Sequence, residues 1–100
     1  MKLVRKNTKQ NVMQAVVQVS GYTEEELKDS RKHDVTDWVK LGIYVANQSG
    51  ISIKDSAGLF GRHFATGHQS INKVKKNFDD VEEGITEIMK AKMKLEQSEW

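Results

Sequence analysis

Gln69, Ser70, Asn72, Lys73 and Lys76 lie within two helical turns of one another, and each is a residue type that reads or holds nucleic acid. Glutamine and asparagine hydrogen-bond adenine through two atoms at once, and serine bonds either kind of base. Lysine one turn further on suits phosphate oxygens, as does the amino terminus of a helix. Ile71, Val74 and Phe78 fall on the opposite side at helical spacing, so one face is apolar and the other polar and basic. An expected helix over 53–62, a glycine-containing turn from Gly61 to Gly67 and a helix opening at His68-Gln69-Ser70 have the order of a helix–turn–helix. Ser52, Lys54 and Arg62 around the first of these helices, with Arg31 and Lys32 in an earlier basic connector, complete the candidate DNA-binding set. An amphipathic helix with solubilising lysines has the same composition, so the pattern alone leaves both readings open.

Other chemistries find little footing. The three histidines are His33, His63 and His68, and the last two are five apart, off the i, i+4 spacing of a helical metal pair. No metal site is expected. No glycine-framed serine, nucleophile–base pair or phosphate-binding loop occurs, so no catalytic residue, nucleotide or cofactor is expected and the chain reads as a non-enzyme.

Those residues need a scaffold, and composition limits its kind. The chain has 100 residues, 37% hydrophobic and 30% charged, enough for one modest core. It has no proline and seven glycines, which favours helix over sheet. It has no cysteine, which excludes disulfides and thiolate zinc sites and fits a reducing, cytoplasmic setting. No apolar run approaches the roughly 18 residues a membrane span needs. The net charge of +2 hides separated surfaces. Lys2, Arg5, Lys6 and Lys9 form a basic arm, while Asp79, Asp80, Glu82, Glu83 and Glu87 make an acidic segment without a base among them.

The expected fold class is all-α, with five or six helices. Val12, Ala15, Val16 and Val19 mark a first helix over 8–20, stopped by Gly21. Thr23 and Glu26 form a capping box that opens a short helix containing Leu27. Asp34 is placed to cap a third helix through Val35, Trp38, Val39, Ile43 and Tyr44, with Trp38 largely buried. Ser52 and Asp55 offer a second capping box for a helix over 53–62. Phe60, Phe64 and Phe78 read as core, which leaves no aromatic platform for RNA. The last stretch is longest: Val81, Ile85, Ile88 and Leu95 continue the apolar stripe, interrupted by Lys92. A break near Gly84 or at Asp79-Asp80 would let it fold back and pack Ile88 and Met89 on helix one; alternatively two chains pair their stripes as a homodimer. Three regions result: a basic arm over 1–10, a helix–turn–helix domain over 11–80 and an amphipathic extension over 81–100.

From about Val19 to Phe78 the chain resembles the carboxy-terminal DNA-binding domain of the bacterial replication initiator DnaA. The resemblance rests on Tyr22, Leu27, Arg31-Lys32, the helix ending at Tyr44-Val45-Ala46, Ser52-Ile53-Lys54-Asp55-Ser56-Ala57-Gly58-Leu59-Phe60-Gly61, and His68-Gln69-Ser70-Ile71. It implies a Trp-repressor-like helical fold, a basic-loop arginine (Arg31) in the minor groove and His68 near the base-reading stretch. It also implies a bacterial or phage-infected cell and a replication or transcription role. The family's acidic residue before that histidine is Gly67 here and its paired threonines are Gln69 and Ser70, so a standard DnaA box is not the expected target. The initiator's ATPase domain has no counterpart, which implies a stand-alone relative or a fragment. The leading expectation is sequence-specific double-stranded DNA binding, without membrane or nucleotide. The alternative is a protein-interaction or dimerisation module that uses the 81–95 stripe.

Overall fold

The apolar spacing produces six α-helices and no strand among the described residues, which are 8–97 in this computed structural model. They are α1 (Thr8–Ser20), α2 (Glu24–Asp29), α3 (His33–Gln48), α4 (Ile53–Leu59), α5 (Phe64–Lys76) and α6 (Phe78–Gln97). Residues 1–7 of the expected 1–10 basic arm lie outside the described residues, whereas Thr8–Gln10, Lys9 included, belong to α1.

Helix α3 is the hub, packed by α1, α2, α4, α5 and α6. It buries Val35, Val39, Leu41, Gly42, Ile43, Val45 and Ala46. Asp34 does not cap it: the cap position is Lys32, whose side chain makes no capping bond, and Asp34 sits in the first turn, where its charge favours the helix dipole. The capping box at α2 does form, with Glu26 N–H donating to Thr23 Oγ1 at 3.1 Å and Thr23 N–H to Glu26 Oε1 at 3.0 Å. Phe60 ends α4 and is fully buried. Its ring lies against Gly42 of α3, so close that a Cβ there would stand 2.4 Å from Phe60 Cζ.

The expected long terminal helix is divided at Asn77, two residues before the acidic pair. Helix α6 then folds back on α1 and buries Ile85 and Ile88, with Met89 and Leu95 partly buried beside them. Ile85 and Ile88 therefore belong to the common core. Lys92, which interrupts the stripe, hydrogen-bonds Glu96 one turn on, and both side chains are mostly buried. Gly84 does not break α6. It is a close-approach position, where a Cβ would come 2.9 Å from Leu41 Cδ1. Trp38 is partly buried against the core and lines a groove between α3 and α6. Phe78 is 37% exposed rather than core, with its ring centroid 6.4 Å from that of Tyr44.

Two glycines should respond oppositely to alanine. At Gly84 the obstacle is the end of a flexible leucine, and helix propensity favours alanine by about 1 kcal/mol, so Gly84→Ala is expected to be neutral or stabilising. At Gly67, inside α5, the new Cβ would meet Ala57 Cβ and Ile53 Cγ2 at 3.0 Å and the Ile53 carbonyl at 3.2 Å. Backbone and a β-carbon cannot swing away, so Gly67→Ala is expected to cost about 1–3 kcal/mol. Thermal melts of the two variants check the contrast; equal effects would contradict it.

Candidate nucleic-acid interface

Helices α4 and α5 are joined by four residues, Phe60 to His63, the length of a helix–turn–helix turn. Gly61 adopts φ +67, a left-handed conformation that glycine takes without strain. A side chain there would also press on the Lys28 carbonyl, 3.1 Å from the Cβ position. The turn is shorter than the Gly61–Gly67 span expected. Helix α5 opens at Phe64, capped by His63, whose Nδ1 accepts the Ala65 N–H at 3.2 Å. His68, Gln69 and Ser70 consequently lie in the second turn, not the first.

Helical spacing from the buried set Gly67, Ser70, Ile71 and Val74 fixes which side faces out. Ala65, Gln69, Asn72 and Lys76 are exposed and form the outward stripe. Phe64, His68 and Lys75 flank it on one shoulder. Lys73, on the other shoulder, lines a cleft with Asp37 and Lys40 of α3. Ser70 is corrected outright: at 2% exposure it faces the core and cannot reach a base. No acidic residue occurs in α5, and Asp79 and Asp80 of α6 bound its basic end.

Arg62 is the second correction. Its guanidinium is not offered to phosphate but turned onto backbone carbonyls: Nη1 donates to Lys28 at 2.7 Å and to Phe60 at 2.8 Å, and Nη2 to Ser30 at 3.0 Å. Burial, and next the nearby charge of Arg31, lower its pKa from the usual arginine value, with Asp29 opposing. Arginine remains charged throughout the working range. The bonds to Lys28 and Ser30 tie the end of α2 and the basic connector after it to the turn before α5, and the bond to Phe60 lies within that turn. Arg31 lies in that connector with its side chain exposed, and its Nη1 donates to the Lys28, Asp29 and Ser30 carbonyls at 3.1, 3.2 and 3.3 Å. Lys32 is exposed beside it. Ser52 caps α4, its Oγ accepting the Asp55 N–H at 3.1 Å, and Lys54 is exposed in the first turn of that helix.

The face therefore gathers Gln69, Asn72, His68, Lys76 and Lys75 on α5 and sets the Arg31–Lys32 connector beside the turn. Phe64 was read from sequence as core, yet it is 50% exposed. Nothing in the spacing marked this, since position 64 lies three residues before Gly67 and seven before Ile71, in step with the buried phase. Ala65 falls before the helix start that the sequence suggests, at His68, and Lys75 joins Lys76 at the basic end of the helix. Among the described residues, no three of His, Asp and Glu gather as a metal-binding group, and no helix is long and apolar enough to cross a membrane. Comparison with known proteins returns no match to any protein family, curated protein or solved structure.

Proposed function

We propose that this chain is a small, non-enzymatic, sequence-specific double-stranded DNA-binding protein of DnaA carboxy-terminal, Trp-repressor-like type, serving replication or transcription as an accessory or regulator. One observation carries the reading: α5 presents an acid-free outward stripe of Ala65, Gln69, Asn72 and Lys76, directly after a four-residue turn to which Arg62 fastens a basic connector. Gln69 and Asn72 are the base readers, Lys76 and Lys75 hold phosphate, and Arg31 with Lys32 grips the flanking backbone or minor groove. The acidic–His–Thr–Thr stretch of the resembled family falls on Gly67-His68-Gln69-Ser70 here, with Ser70 buried, so the preferred sequence differs from a standard DnaA box.

Binding to duplex DNA across a salt series tests the electrostatic half. With about four to six phosphate contacts, the log–log slope of affinity against salt is expected at about −4 to −5. A flat response would overturn the reading.

A protein-interaction role has one observation in its favour. A groove of about 400 Å³ is lined by apolar Trp38, Leu41 and Val81 together with acidic Asp37, Asp80 and Glu83. Its chemistry suits a basic partner segment with an apolar anchor. The paired-stripe form of that role has less apolar surface to use, since Ile85 and Ile88 are buried within the chain.

A further inference from the structure

Phe64 stands at the first position of α5 with half its surface in water, while Ile71 and Val74 further along the helix are buried. Single exposed apolar side chains are ordinary. This one is distinguished by how it is held. The His63 ring lies 4.4 Å from it between centroids, tilted by 36°, and the His68 ring meets it edge-on at 6.4 Å and 82°. His63 is itself held by its capping bond to the Ala65 N–H. The phenyl ring is thus braced on two sides, and exposed Ala65 extends the apolar spot toward the stripe that carries Gln69 and Asn72. A braced ring loses little freedom on binding. In the major groove the one apolar group at a base edge is the C5-methyl of thymine, and phenylalanine is among the side chains that contact it.

Resting on the DNA-binding reading above, we propose that Phe64 is a specificity-determining residue that contacts a thymine methyl, so that the target carries a thymine beside the bases read by Gln69 and Asn72. His63 and His68 act as positioning residues for the ring. The lysines of α5 and its shoulder bring the duplex to this face but do not distinguish thymine from cytosine.

The test replaces thymines of the preferred duplex one at a time with deoxyuridine, which removes the methyl and keeps the hydrogen-bonding edge. Loss of one buried methyl corresponds to about a four-fold weakening. The proposal expects that loss at one thymine for the unchanged protein and no thymine–uracil difference there for Phe64→Ala. Because Phe64 is half exposed, that variant should fold, and its melting curve checks this. Tight duplex binding with no sensitivity to uracil overturns the inference and leaves the DNA-binding reading standing. Equal sensitivity in Phe64→Ala overturns it in the same way, as does a Phe64→Ala loss confined to single-stranded DNA. No duplex binding by the unchanged protein overturns both.

Discussion

Phe60→Ala is expected to cost about 3–5 kcal/mol, the range for emptying a buried phenylalanine site. That approaches or exceeds half the stability of a small domain. Phe60 is fully buried, ends α4 and opens the turn, and it fills the space that Gly42 leaves on α3. The cavity would open between the hub helix and the α4–α5 pair, so α4 would lose its seat before the rest of the core. Urea unfolding followed by far-ultraviolet circular dichroism should show an early or non-cooperative transition. The complementary variant Gly42→Ala addresses the same contact from the other side, since its Cβ would collide with a rigid ring at 2.4 Å. Overpacking of this kind costs about 1–3 kcal/mol, which outweighs the gain in helix propensity. If both variants melt like the parent, the placement of α4 on α3 is wrong.

Arg62→Gln should weaken duplex binding at least ten-fold and cost about 2–3 kcal/mol of stability, because the bonds from a charged donor to the Lys28, Ser30 and Phe60 carbonyls are lost. The binding loss is indirect: Arg62 faces the protein, and what it supports is the position of the Arg31–Lys32 connector beside the turn that precedes α5. A double-mutant cycle separates this from a phosphate contact. Arg31→Ala should weaken binding in the parent and have little effect in the Arg62→Gln background. Additive losses would return Arg62 to the list of phosphate-contacting residues.

Element types were largely legible in the sequence, because periodicity and caps are local. Val12, Ala15 and Val16 marked α1, and Thr23 with Glu26 marked α2; both signals act within one turn or two. The start of α5 was misplaced for a physical reason. Gly67 looks like punctuation, whereas it lies inside the helix to let α4 approach, and such a long-range contact leaves no local trace. The same holds for Gly84 against Leu41. His63 is not among the residues that announce an N-cap, so the earlier start went unmarked. At the candidate interface, the stripe of Gln69, Asn72 and Lys76 followed from spacing alone. Ser70 was misassigned because the helix phase was set by polarity, while packing turns it 2% exposed into the core. Arg62 was misassigned because two of its three carbonyl partners lie far away in sequence, with separations of 34 and 32.

Selection of bound duplexes from a random pool tests the central claim most directly. Sequence-specific recognition by the outward stripe of α5 predicts convergence on one short motif with the parent protein. It also predicts a relaxed motif with Gln69→Ala or Asn72→Ala, each lowering preference for the selected site by about 1–3 kcal/mol, and an unchanged motif bound more weakly with Lys76→Ala. A pool that never converges with the parent protein, or a motif that Gln69→Ala and Asn72→Ala both leave intact, would contradict it.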